Sequence, residues 1–444
     1  MNYKKTLLEL AKFGIDAVKP ENFISRCIKV VNNTIFFFDW KGNEVLEVKG
    51  DEFKSLHLFA VGKASVGMFS ETLNVLGDRF HISDGVVVTN EVVSDVKGYQ
   101  VITSSHPIPD ERSLFAAGEV LKRFQNMDED DFFIFLLSGG GSALLELPME
   151  PITLEDLKVA TKLFLESGMD IFELNTLRKH LSKVKGGRLA KSTKARGIVL
   201  VLSDVIGDNL EFISSGLLYC DSTSYSDVKG ILEKYSLWKR IPENVEMVFK
   251  KGILGEIEDT PKVENERIKN VIVSNNGFAL RKIEERCKDV GIYGRIITST
   301  LRGEAREVGK VLVAMAEGIL SGIYSGNIKK PACLIFGGET TVTVSGNGFG
   351  GRNQELVLSA LGEIRDKKGI TVLSVGSDGI DGKSDAAGGV VDWENYIAAV
   401  DKKLNIVDFL KNNDSNTFLK KVGGEIVLGK TGTNVCDIIL ILIN

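Results

Sequence analysis

Phe132-Phe-Ile-Phe-Leu-Leu137 runs directly into Ser138-Gly-Gly-Gly-Ser142, and this junction limits the folding choices of the chain more than any other stretch. The apolar run is short, aromatic-rich and without alternation, the pattern of a strand buried on both faces. Three successive glycines let the backbone turn sharply and leave its N–H groups bare, with no Cβ to hold a ligand away. If a short helix follows, Ser138, Gly139, Gly140, Gly141 and Ser142 form an anion site at its N-terminus. The plainer alternative is a turn that only reverses the chain. No lysine closes the motif, so it is not the G-x-x-x-x-G-K-[ST] loop.

The residues on either side repeat a strand–turn–helix rhythm. Leu7, Leu8, Leu10, Ala11, Ile15 and Val18 predict a helix over 3–19 that Pro20 stops, and Trp40-Lys-Gly-Asn43 reads as the turn of a hairpin within 28–48. Strands are expected at 56–61, 85–89, 101–104 and 197–202, with helices from 65 to 76, 113 to 126 and 153 to 168. Such alternation means a doubly wound, Rossmann-like parallel sheet, whose ligands lie beyond the carboxyl ends of the strands. Lys63 and the Gly139–Gly141 turn both fall there. Charged material with Pro242 and Pro261 marks a boundary, giving an N-terminal domain over 1–240 and a C-terminal α/β domain over 241–444. The second domain restarts the alternation with strands at 271–275, 293–298, 332–336, 341–345 and 370–375, and ends in a buried strand through Ile443.

Composition excludes several classes of function. A net charge of −5 offers no field for nucleic acid or an anionic membrane, so an anionic substrate needs local lysines and arginines. The five cysteines form no C-x-x-C and the four histidines no close pair, which argues against a zinc site and for a reducing, cytoplasmic setting. No apolar run approaches the roughly 18 residues of a membrane span, and the N-terminus reads as an amphipathic helix instead of a signal peptide.

Several polar groups sit at expected strand ends. Asn175 to Arg188 is strongly basic, and a solvated helix face is the ordinary reading of such a run. Asp204 and Asp208 flank Gly207 after a strand, where they suit a hydrated Mg²⁺ or a substrate hydroxyl, or equally serve as turn residues. Gly346, Gly348 and Gly351 match G-x-G-x-x-G, but Arg352-Asn-Gln-Glu355 replaces the small apolar residues of a dinucleotide helix. The loop reads better as a holder of a phosphoryl or carboxylate group, with Arg352 as clamp, against the alternative of a surface arginine on an ordinary cap. Asp378, Asp381 and Asp385 are spaced by glycines, so they hold a cation or sugar-like hydroxyls, or simply make turns.

Taken together, the motifs resemble one family. Val61-Gly-Lys-Ala64, His106-Pro-Ile-Pro-Asp-Glu111, Leu137-Ser-Gly-Gly-Gly-Ser142, Leu177-Arg-Lys-His-Leu-Ser182, Lys185-Gly-Gly-Arg188 and Ser203-Asp-Val-Ile-Gly-Asp208 look like the type 2 glycerate kinases. So do Phe336-Gly-Gly-Glu-Thr340, Gly350-Gly-Arg-Asn-Gln-Glu355, the Asp378–Asp385 loop with Ala386-Ala-Gly-Gly389, and Thr431-Gly-Thr-Asn-Val435, which fall in that family's MOFRL domain. The resemblance implies two α/β domains facing a cleft, with a mixed sheet in the second. It also implies phosphorylation of D-glycerate to 2-phosphoglycerate with ATP and Mg²⁺, on a chain that could form a homodimer. The family's proposed catalytic lysine and arginine match Lys63 and Arg352. Glu339, Asn353, Asp378 and Asp385 would join the 138–142 loop in binding substrate or nucleotide, and Asp204 and Asp208 the metal. The rival readings are an NAD(P)H-dependent hydroxypyruvate reductase and a non-catalytic sugar-acid-binding protein.

Overall fold

The computed structural model describes residues 2–323 and 328–444. The chain divides into two compact units, Ile24–Val273 and Met1–Phe23 with Ser274–Asn444.

In the unit Ile24–Val273, a seven-stranded sheet runs in the order 268–274, 196–202, 132–137, 56–61, 82–89, 99–103, 95–96. Its central pairs are parallel, and 95–96 turns back antiparallel on 99–103. Every residue of Phe132–Leu137 is buried, as its unbroken apolar pattern predicts. Phe124, from the helix Glu111–Asn126, packs with its ring centroid 5.1 Å from those of Phe59 and Phe133. Each such ring contributes roughly 1.5–3 kcal/mol on burial. The chain lays down 56–61 first, adds 82–89 and 99–103 on one side, then returns to place 132–137 on the other. The order therefore reverses between 56–61 and 132–137, where open parallel sheets bind their ligands.

The helices Leu154–Glu166, Ile171–His180, Tyr225–Lys234 and Glu243–Ile253 pack around Phe164, Leu177, Val228 and Phe249. The expected hairpin is a three-stranded antiparallel sheet, 28–31, 34–38 and 44–49, because Asn32, at a φ of 54°, adds a second turn. The division falls at 273/274 instead of near 240. Asn244 Nδ2 donates to Asp156 Oδ2 at 2.8 Å, which ties the helix at 243–253 to the first unit. The strand Ile268–Ser274, expected to open the second domain, edges the first sheet, and Gly197 N donates to Arg267 O at 2.9 Å beside it. Charge and proline over 225–265 thus mark exposure and turns, not a change of core.

The other unit begins with the helix Tyr3–Ala17, which packs through Gly14 on Ile283 and Ala279 of the helix Asn276–Asp289. Its six-stranded sheet runs 293–301, 332–338, 437–443, 370–376, 388–391, 425–426. The first pair is parallel and the rest antiparallel, so the sheet is mixed, as expected. The helix Arg352–Ile364 is buried from Asn353 to Leu361. Residues 341–345 do not form the expected strand. Thr343 N donates to Glu304 Oε1 at 2.9 Å and Ser345 N to Asn413 Oδ1 at 2.8 Å, so side chains take the place of a neighbouring strand. No helix among the described residues is long and apolar enough to cross a membrane.

Candidate active site

At the point where the strand order reverses, two strand ends are tied together. Lys63 N donates to Gly139 O at 2.9 Å and Ala64 N to Ser138 Oγ at 3.1 Å. The N–H groups of Gly139, Gly140, Gly141 and Ser142 find no acceptor among the described residues. Gly140 is left-handed, at a φ of 92°. A row of recessed donors without acceptors is costly unless a ligand or water fills it.

The glycines are required by what approaches them. A Cβ on Gly139 would overlap Asp204 Oδ2, and one on Gly141 would overlap Ser214 Oγ. A Cβ on Gly140 would lie 3.0 Å from His106 Cδ2 and 3.5 Å from Lys63 Cγ. Lys63, His106, Asp204 and Ser214 therefore converge on the bare loop. Ser142 Oγ is 2.9 Å from Ser215 Oγ, which donates to Asn175 Oδ1 at 3.1 Å. Ser214 and Ser215 hold left-handed φ values of 51° and 56°, at a cost of roughly 1–3 kcal/mol each. Gly186 N anchors them by donating to Ser215 O at 3.0 Å. Asp208 stands at the end of the Ser203–Asp208 turn with a φ of 55°.

Burial, with the Lys63 charge beside it, pushes the His106 pKa from 6.5 down to about 4. The ring is neutral at pH 7. On acidification the unfolded chain takes up this proton first, so the stability tied to neutral His106 is complete above pH 6.5 and is lost as pH falls through about 4. An NMR titration is expected to find the ring neutral down to about pH 5. A midpoint above 6 would remove His106 from the neighbourhood of Lys63.

The basic run after Asn175 is not a solvated face. Lys179 and Lys185 are fully buried. Lys179 Nζ lies 3.0 Å from Asp221 Oδ1, and Asp221 Oδ2 accepts from Thr260 Oγ1 at 2.9 Å. Lys185 pairs with Glu146, and burial still draws its pKa down to about 8.

In the second unit the centre is Arg352, the first residue of its helix. Its Nε and Nη2 donate to Asp437 at 2.6 and 2.9 Å, and Nη1 lies 2.9 Å from Glu339. Asp437 is fully buried at the start of the last strand and also accepts from Asn353 Nδ2 at 3.0 Å. Burial raises the Asp437 pKa against the pull of Arg352. Burial also works against the Arg352 charge, but Asp437 more than compensates and holds its pKa above the usual value. Asn353 further meets Asp381 at 3.3 Å and Ser374 at 2.5 Å, so its side chain is engaged inside the protein.

Asp381 accepts from Asn353 N at 3.1 Å and Gln354 N at 2.9 Å, capping the helix from a different loop. Two of the amides expected to receive a phosphoryl or carboxylate group, those of Asn353 and Gln354, are thus filled from within the protein. Gly346 and Gly348 serve packing, with their N–H groups donating to Asn413 Oδ1 and Asn412 O, each at 2.9 Å. Asp378, Asp381 and Asp385 do not gather round one cation. Asp381 is the cap, Asp378 Oδ1 accepts from Ile380 N at 3.1 Å, and Asp385 is exposed. Among the described residues no group of three or more His, Cys, Asp or Glu side chains is placed to hold a metal.

His106, Asn175, Ser214, Ser215 and Asp437 were not singled out as site residues from the sequence. His106 lay in a quoted motif without a role. Asp437 stands 85 residues from Arg352, and nothing local to either announces the pair.

A row of open amides at the reversal point of a parallel sheet, beside a lysine, defines an α/β protein of the anion-handling class. The model of a domain of unknown function, DUF4147, matches residues 6–250, and that of the MOFRL family matches 332–437. The glycerate 2-kinase of Pyrococcus horikoshii is 40% identical over 100% of this chain and 98% of its own length. The D-glycerate 2-kinase of Thermotoga maritima is 39% identical over 99% of this chain and 98% of its own. The crystal structure of glycerate kinase from Thermotoga maritima superposes with a TM-score of 0.86 at 37% identity, covering 100% of this chain and 99% of that one. The chain belongs to the type 2 glycerate kinase family.

Proposed function

We infer that this protein is a glycerate 2-kinase, transferring the terminal phosphoryl group of ATP to D-glycerate and yielding 2-phosphoglycerate. The observation that carries the reading is the row of unpartnered N–H groups over Gly139–Ser142 beside Lys63. Phosphoryl transfer needs positioning and neutralisation of charge more than covalent chemistry, and this loop supplies both. The amides hold phosphate oxygens, Lys63 offsets the charge that builds on the transferring group, and neutral His106 beside it adds no competing charge. Arg352 is the second proposed cation, oriented by Asp437 and Glu339; Asn353 and Asp378 act around it by placing Asp437 and its field. Asp385, exposed beyond Asp378 on the same loop, is a further proposed binding residue.

A preassembled carboxylate cage is not needed for Mg²⁺, which usually reaches such sites on the nucleotide and meets one or two carboxylates. Asp204, against Gly139, fits that role, with Asp208 on the same turn. Bound there, the ion would neutralise charge on the phosphoryl oxygens. Asp204→Asn is expected to raise the Mg²⁺ concentration for half activity by roughly tenfold or more, and Asp208→Asn likewise if it is a ligand. Unchanged titrations in both variants would move the metal contact elsewhere.

The reading is tested by incubating the protein with D-glycerate, ATP and Mg²⁺, and in parallel with hydroxypyruvate and NADH. ADP formation in the first arm alone supports the kinase. Consumption of NADH in the second would support the reductase, and reaction in neither arm a binding protein. Coupling the first arm to enolase and pyruvate kinase without a mutase is expected to give pyruvate, since enolase takes 2-phosphoglycerate directly. Pyruvate appearing only after a mutase is added would place the phosphoryl group on C3.

A further inference from the structure

The hydrogen-bonded chain from Ser142 through Ser215 ends at Asn175 on the helix Ile171–His180. Arg178 follows at i+3 and so shares that face. Its side chain is half-buried, yet its guanidinium donates no hydrogen bond to any described residue. None of its nitrogens is sealed off either, so the fork opens onto accessible space.

The charge around it is unbalanced. Lys185, fully buried, is already paired with Glu146. Arg178 lies within electrostatic reach of both, so one carboxylate stands between two cations. Burial lowers the Arg178 pKa and Glu146 only partly restores it. A half-buried planar array of donors with no protein acceptor, open at its fork, is suited to an oxyanion.

We propose that Arg178 binds the carboxylate of the acceptor, gripping the planar group of the 2-hydroxy acid while the Gly139–Ser142 amides and Lys63 take the phosphoryl group. The proposal rests on the kinase reading above and names the part of the site that recognises the acid. The arrangement favours the acceptor over the nucleotide as owner of this oxyanion. Phosphate already has the open amides and Lys63, whereas the hydrogen-bonded chain from Ser142 through Ser215 to Asn175 leads from that loop to the helix that carries Arg178. Neutral donors and acceptors in that interval match the hydroxyls of a short polyol acid, and a guanidinium pairs with a carboxylate bidentately.

The test uses the full-length protein and begins with the parent chain, whose turnover of D-glycerate decides the kinase reading by itself. Given that turnover, Arg178→Gln is expected to raise KM for D-glycerate by roughly 100-fold or more, with KM for ATP changed less than about threefold. Calorimetry of D-glycerate binding, which needs no turnover, should lose its signal in the variant. Glyceramide, which has the same hydroxyls without the carboxylate charge, should bind both proteins equally weakly. An unchanged KM and binding constant for D-glycerate overturns the proposal. So does a rise confined to KM for ATP, which would assign Arg178 to the nucleotide. Arg178→Lys keeps charge and bulk and carries the same test if the glutamine variant fails to fold. It loses the fork, so a rise of roughly tenfold in glycerate KM alone supports the proposal, and no rise overturns it.

Discussion

Lys63→Ala is expected to cut kcat by roughly 10²–10³, the loss found when one preorganised charge donor to a transition state is removed. The structural reason is placement: Lys63 Cγ is 3.5 Å from where a Cβ on Gly140 would stand, at the centre of the open-amide loop. Folding should hardly notice. The hydrogen bond that ties this segment to the next strand comes from the Lys63 backbone, which alanine keeps. A change in stability within about 0.5 kcal/mol is expected, measured by thermal unfolding. A variant with near-parental kcat would take Lys63 out of the mechanism. A large loss of stability alongside lost activity would make it a structural residue.

Glu146→Ala should act in the opposite sense, with its main effect on stability. Lys185 is fully buried and Glu146 is its ion-pair partner. Removing one member of a buried pair usually costs about 3–5 kcal/mol because the other charge is left uncompensated. For a unit of this size that corresponds to a fall of roughly 10 °C in Tm. The pH dependence identifies the cause. The folded pKa of Lys185 is about 8, below the 10.5 of the unfolded chain, so above pH 8 the unfolded state holds more protons and stability rises with pH. Without Glu146 the folded pKa falls further and that rise starts earlier. The deficit of the variant should therefore shrink as pH increases to about 8 and stay level beyond it. A deficit independent of pH from 6 to 9 would mean lost packing and not an orphaned charge. Glu146→Gln, which keeps the shape, should lose less.

The elements with a strong local pattern were legible from the residues alone. Phe132–Leu137 reads as a doubly covered strand because no position in it tolerates water, and Ser138–Ser142 as its turn because successive glycines have few other uses. Lys63 and the Gly139–Gly141 loop could be placed at one end of one sheet from the strand–helix rhythm. Where local patterns are weak, tertiary partners override them. The β-branched run at 341–345 has strand propensity but no neighbouring strand, so Glu304 and Asn413 satisfy its amides. The charged stretch over 225–265 looked like a boundary, yet its helix at 243–253 buries Val245, Val248 and Phe249 in the first unit.

By itself, then, the sequence determined the α/β class and the bare glycine turn, since these depend on the order and periodicity of neighbouring residues, while the mixed second sheet and the family followed from the resemblance that its motifs carry. The tertiary structure alone decided which polar groups are free to meet a ligand. Asp381, an apparent cation ligand, is spent capping a helix 27–28 residues away in the chain. Arg352 is held by Asp437, and the basic run that looked solvated divides into buried Lys179 and Lys185 with Arg178 left open. A polar side chain is equally plausible at the surface, in a buried network or against a substrate. Only the partners that folding brings to it across long stretches of chain settle which one it is.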